Sequence, residues 1–186
     1  PHRRHPGAGE GAHRRGCGLH RYPELLRPQA LRAQGVRGDL RAAEKSARQL
    51  KLDVLEYPVK TASEFKSSLA QMEVNPGDAI FQIADDLVES QGSVLLDEAK
   101  KRRMATMFHS EVWASRGSLA AYGPNYHEMG RQAADLVQKI LKGAHPKDIA
   151  VAHANKFDLA INLRTASSIG LKIAPEVLKK ADKVIR

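Results

Sequence analysis

From residue 40 onward, short apolar runs and amphipathic stretches take turns along the chain, and this alternation limits the fold more than any other feature. Asp39 can cap a helix whose apolar face is Leu40, Ala43, Ala47 and Leu50. Residues 52–57 read as a strand. Thr61 and Glu64 have the spacing of a capping box, opening a helix with Phe65, Leu69 and Met72 on one face. A turn at 75–78 leads into a buried strand at 79–83. Ser90 is expected to cap a helix carrying Val94, Leu95 and Ala99. Strands are expected at 104–108 and 118–122, and a long helix at 125–142, with Gly143 just past its end. Strands joined by helical crossovers imply an α/β fold, a doubly wound parallel sheet with helices on both faces. After Gly143 the rhythm changes to short extended pieces at 149–152 and 157–161. Brief helices follow at 163–169 and 175–181, the second starting on Pro175.

The first 39 residues are of different material. They hold eight arginines against three acids (Glu10, Glu24, Asp39), seven of the 14 glycines, four of the eight histidines and no lysine. The only large aliphatic residues there are Leu19, Leu25, Leu26, Leu31 and Val36. So little apolar surface predicts a basic Gly/Arg/His-rich leader over 1–39, disordered or loosely helical and non-native. A basic arm for nucleic acid or acidic lipid is the functional alternative. The net charge of +9 is concentrated in this segment, because residues 40–186 hold 22 basic and 18 acidic residues, an ordinary surface. A single cysteine, Cys17, excludes an intrachain disulfide. No run has the length of a membrane span, and no apolar stretch of a signal peptide is visible.

In an open parallel sheet, ligands bind beyond the carboxyl ends of the strands. That rule gives a shortlist: Asp85 and Asp86 after the strand at 79–83; His109, Ser110 and Glu111 after the strand at 104–108; Tyr122, Gly123, Asn125 and Tyr126 around the end of the next. The expected ligand contacts are Asp85, Ser110, Glu111 and Tyr122, with the acids able to receive a ligand ammonium group. No enzyme is expected. His109, His127, His145 and His153 have no close metal-ligand spacing, and nucleophile elbows, phosphate loops and nucleotide fingerprints are absent from the sequence. No cofactor and no metal are expected.

The run Leu119-Ala120-Ala121-Tyr122-Gly123-Pro124-Asn125-Tyr126, then Gly130-Arg131-Gln132-Ala133-Ala134, Ile140-Leu141-Lys142-Gly143-Ala144 and Pro146, carries a resemblance. So do Phe157-Asp158-Leu159, Ile161-Asn162-Leu163-Arg164-Thr165-Ala166, Ile169-Gly170-Leu171 and Ala181-Asp182-Lys183-Val184-Ile185. In this order and spacing they resemble the ABC-transporter substrate-binding proteins similar to tryptophan- and amino-acid-binding lipoproteins. The resemblance implies one lobe of a type I periplasmic-binding fold, in which two α/β lobes close on a small molecule. It implies that residues 40–142 form most of the second lobe, and that 143–186 are the hinge return and a C-terminal helical tail packing toward the first lobe. The family's first lobe should precede this region and does not. The apolar strand that opens the second lobe is also unrecognisable where residues 29–38 stand.

The resemblance further implies a solute-binding component of an ABC uptake system. Such a protein captures an amino acid or related compound outside the cytoplasmic membrane and delivers it to a permease. The implied partners are the small-molecule ligand, the permease and the missing first lobe. Contact with a membrane would come only through the permease or a lipid anchor not present here, and no nucleic acid is expected. Two rivals remain: a ligand-sensing regulatory module with a nucleic-acid-binding arm, and a truncated remnant without function.

Overall fold

The computed structural model describes residues 28–33 and 37–186, with side chains from Leu40 onward. The expected leader therefore lies outside the described residues, apart from Pro28–Ala33 and the residues from Arg37. The elements run β1 (Pro28–Ala33), α1 (Arg37–Gln49), β2 (Leu55–Val59), α2 (Ala62–Gln71), β3 (Ala79–Gln82), α3 (Asp86–Ser90), α4 (Gly92–Lys101), β4 (Ala105–Phe108) and α5 (Glu111–Arg116). They continue as β5 (Ala120–Pro124), α6 (Tyr126–Leu141), β6 (Phe157–Asn162), α7 (Leu163–Ile169), α8 (Pro175–Leu178) and β7 (Lys183–Ile185).

Seven strands form one sheet in the order β2-β1-β3-β4-β5-β6-β7. The first five are parallel to their neighbours, as helical crossovers require. Beyond them the sheet turns mixed: β6 runs antiparallel to β5, and β7 runs parallel to β6.

Strand β1 corrects an expectation. Residues 29–38 were expected to leave the sheet without its opening strand, yet Pro28–Ala33 lies between β2 and β3 and pairs with both. Strand pairing is made by backbone groups. Pro28, which lacks an N–H, stands at the first position, where a strand tolerates it. Sheet membership also divides the chain differently from boundaries at 39/40 and 142/143. It covers β1 to β5, then resumes at β6 and β7, with α6 and the following residues outside it.

Alternation along the strands builds two apolar layers. Ile80 and Phe108 belong to the larger, with Val59, Phe65, Leu69, Val88, Leu95, Trp113, Ala121 and Ala160. This layer lies under α2, α4 and α5. Phe81 and Ile83 point to the other side and pack with Leu40 of α1 and with Val54. Among the described residues this second cluster has two buried members, Leu40 and Ile83.

Local chemistry sets several helix ends. The Thr61 hydroxyl accepts from the Glu64 N–H (3.1 Å), and the Glu64 carboxylate accepts from the Lys60 N–H (2.8 Å), closing the capping box. Thr61→Ala is expected to destabilise the chain by about 1 kcal/mol, read as a lower urea midpoint at unchanged slope. Ser90 does not cap α4. It ends α3, its hydroxyl donating to the Leu87 carbonyl (2.7 Å), and Gln91 stands at the start of α4. Arg102, at the end of α4, holds Glu98 (2.7 Å) and donates to the Met72 carbonyl (2.8 Å), tying α4 to the end of α2. Its hydrogen bond, with that of Lys101, keeps the Glu98 carboxyl below its ordinary range. Residues 149–152, expected to be extended, form no strand; they follow a 3-10 turn at Pro146–Asp148.

Candidate functional site

The carboxyl ends of β3, β4 and β5 make a rim, built first by backbone geometry. Gly123 lies so close to the loop after β4 that a methyl group on it would sit 1.7 Å from the His109 carbonyl oxygen. Only a glycine lets β5 reach this height beside residues 109–110.

Behind the rim, Gln82 is buried (1% exposed) at the end of β3. Its amide nitrogen donates to the Ile83 carbonyl (2.8 Å), which turns its oxygen toward His109. His109 Nδ1–H donates to that oxygen at 2.7 Å. The bond fixes the tautomer, so the neutral imidazole keeps its lone pair on Nε2. That atom lies 3.8 Å from the Glu89 carboxylate. Two acceptors this close can be shared by one N–H-bearing group of a ligand placed beside them.

Asp85 caps α3, with one carboxylate oxygen accepting from the Leu87 and Val88 N–H groups (2.9 and 3.1 Å). Its other oxygen has no hydrogen-bond partner among the described residues. Ser110 is buried at the start of α5, and its hydroxyl makes no bond to the helix it opens. Asp85 and Ser110 thus sit with His109 along the ends of β3 and β4. Glu111 turns elsewhere, its carboxylate 3.5 Å from Lys183 Nζ on β7.

Tyr122 lies on the opposite sheet face from α5, because its neighbour Ala121 belongs to the layer beneath that helix. It is half-exposed and stacks on Phe157 of β6 (centroids 5.8 Å apart, planes at 23°). The two rings form an aromatic shelf. The four residues expected to make one site therefore occupy three places along the rim: acceptors at β3 and β4, the aromatic shelf at β5 and β6, and an ion pair at β7. Gln82, Glu89 and Phe157 are additions that the sequence did not single out. A buried glutamine at a strand end is the one signal that could have marked Gln82.

Next to the shelf the chain leaves the sheet and returns. The Asn125 N–H donates to the Lys156 carbonyl (2.9 Å), and the Asn125 amide donates to Asp158 (2.6 Å) while capping α6 through the Glu128 N–H (2.8 Å). The second Asp158 oxygen is buried without a hydrogen bond, with Lys156 Nζ 3.7 Å away. The excursion between these crossings contains α6. None of its residues is buried, and Tyr126, Met129, Val137, Ile140 and Leu141 are exposed at helical spacing. No helix among the described residues is long and apolar enough to cross a membrane.

A mostly parallel α/β sheet with an exposed rim and a two-strand crossing to a helix outside it is the form of one lobe of a periplasmic-binding fold. The chain belongs to the ABC transporter substrate binding protein family, whose profile matches residues 32–185. The fold is shared with an ABC domain from Streptococcus pneumonia solved in complex with L-Trp (TM-score 0.79, 23% identity). It is shared also with a conserved domain protein from Vibrio cholerae O1 biovar El Tor (TM-score 0.76, 23% identity). Each covers 88% of this chain, which spans 56% of each of them. CD0873, a substrate binding protein with adhesive properties from Clostridium difficile solved ligand-free and open, matches at a TM-score of 0.62 and 20% identity. It covers 88% of this chain, and the chain spans 55% of it. In sequence, the uncharacterized protein RP367 of Rickettsia prowazekii (strain Madrid E) is 32% identical over 83 residues, 45% of this chain and 27% of that protein.

Proposed function

We propose that this chain forms the second lobe of an extracytoplasmic solute-binding protein, one that captures a small amine-bearing organic molecule, of amino-acid type, and hands it to an ABC permease. The observation that carries the reading is the pairing, on one sheet rim, of acceptors suited to an ammonium group with an aromatic shelf suited to an apolar side chain. Asp85, Ser110, Glu89 and the Nε2 of His109 would receive the polar end. Tyr122, backed by Phe157, would pack on the apolar part. Glu111, whose carboxylate lies 3.5 Å from Lys183 Nζ, would add its contact from beside that ion pair. The family membership and the likeness to a protein bound to L-Trp support the same reading.

The first lobe would close over this rim, because one lobe alone buries too little of a ligand to hold it firmly. The apolar stripe on α6 is where that lobe would dock: the chain leaves its own sheet at Asn125 to place the helix, and the chain spans only 56% of the solved relative bound to L-Trp. The test is a thermal-shift screen of the two-lobed protein against the free amino acids, with L-tryptophan first. A ligand raises the melting midpoint. Tyr122→Ala is then expected to weaken the best ligand by about tenfold, measured by calorimetry, since an aromatic contact contributes about 1 kcal/mol beyond its area. If no amino acid shifts the midpoint, or the variant binds as tightly as the parent, the reading fails.

A further inference from the structure

A second concave feature lies at the other end of the sheet and takes no part in the rim. It is a cavity of about 220 Å³ at the amino ends of β4 and β5, bordered by Met104 and Gly117. Its walls come from three helices. Lys100 projects from α4, Arg116 from α5 and Arg164 from α7, against one carboxylate, Asp97. The nearby Glu98 is committed to Lys101 (3.3 Å) and Arg102 (2.7 Å), so it does not neutralise the cavity. Lys100, Arg116 and Arg164 have no acidic side-chain partner within salt-bridge distance among the described residues.

The site is held in shape by bonds that leave its charges available. The Arg116 guanidinium lies over the Trp113 ring, 4.9 Å from its centroid, which fixes its height against the wall. Arg164 spends its Nε–H on the Arg186 carbonyl (2.5 Å). The Thr165 hydroxyl donates to the Gly117 carbonyl (3.0 Å), tying α7 to the loop before β5 across the cavity.

We propose that this cavity binds a phosphate-type oxyanion. Two guanidinium groups and an ammonium brought together from separate elements suit a compact, multiply charged oxygen ligand. A singly charged halide would use this arrangement poorly. The ligand chemistry has two possible sources, a free phosphate and the phosphate of an anionic lipid headgroup, and the test separates them.

Trp113 is the only tryptophan in the chain and touches Arg116, so its emission reports on the site directly. The full chain is titrated with sodium phosphate, with sodium chloride at matched ionic strength, and separately with phosphatidylglycerol vesicles in a flotation assay. A saturable emission change with phosphate and not with chloride is expected. Arg164→Gln and Lys100→Gln should each raise the half-saturating phosphate concentration about tenfold, because each removes one charge-assisted contact. Both positions are exposed, and an unchanged far-UV circular dichroism spectrum will show that the variants fold. Flotation with vesicles that is lost in both variants, with free phosphate silent, also supports the site and identifies the headgroup as its source. Equal responses to phosphate and chloride, variants that titrate like the parent, or no binding in either arm would overturn the proposal.

Discussion

Gly123→Ala is expected to lower the melting midpoint by about 6–12 °C, or to prevent folding, because the destabilisation should reach about 3 kcal/mol. The added methyl would sit 1.7 Å from the oxygen and 2.7 Å from the carbon of the His109 carbonyl, and both are backbone atoms that no rotamer change can remove. Relief requires β5 to separate from the loop after β4, which strains the β4–β5 pairing at Met107–Ala120 and Phe108–Ala121. The same displacement pulls His109 from Gln82, so the side-chain nitrogen resonances of His109 should report a mixture of tautomers where the parent shows Nδ1–H. A variant that melts with the parent and keeps one tautomer would show that β5 does not pass this close to the loop. Contrast Gly130, on the exposed side of α6: a methyl there meets nothing within 4 Å, and alanine should be tolerated.

Phe108→Ala should cost about 3–5 kcal/mol, since it empties the centre of the larger apolar layer. Phe108 is 1% exposed, and its ring lies 5.0 Å from that of Trp113, tilted by 31°. Trp113 in turn fills the space over Gly92, where a methyl group would come within 2.2 Å of the indole. The neighbours are held by strands on one side and α4 on the other, so they cannot collapse fully into the void. Guanidinium unfolding followed by Trp113 emission measures the effect, and the folded variant should emit further to the red as water approaches the indole. A loss below about 1 kcal/mol would contradict the burial of this ring, because even Ile→Val changes in well-packed cores reach that size.

The elements with strong periodicity were legible in the sequence. The capping box at Thr61, the strand at 79–82 and the long helix ending before Gly143 all depend on neighbours within a few residues. Gly143 takes φ of 98°, the left-handed conformation that favours glycine after a helix. Strand β1 was not legible, because a parallel strand is expected to be a run of branched apolar residues and Pro-Gln-Ala-Leu-Arg-Ala is not one. Its place comes from partners on both sides, 26 and about 51 positions away in the register with β2 and β3. Short helices such as α3 and α5 were missed for a related reason, since five or six residues are too few to show a 3.6-residue repeat.

For the candidate site, the sequence points to residues that lie along the strand ends, but not to their contacts with one another. The rule that ligands lie beyond strand ends led to Asp85, His109, Ser110 and Tyr122. Which of them act together is decided by long-range contacts. Gln82 orients His109 across 27 positions, Phe157 supports Tyr122 from the adjacent strand, and Lys183 draws Glu111 toward β7. No local pattern encodes these pairings. They exist only once β3 lies beside β4 and β6 beside β5.

The stripe of Met129, Val137, Ile140 and Leu141 has a consequence for the life of the polypeptide in a cell. If the first lobe docks there, as proposed, a newly made copy whose lobes have not yet met would display a greasy ridge of the kind by which chaperones hold immature chains and proteases remove them. Its abundance would then be governed by how fast it is cleared rather than by how tightly its sheet is packed.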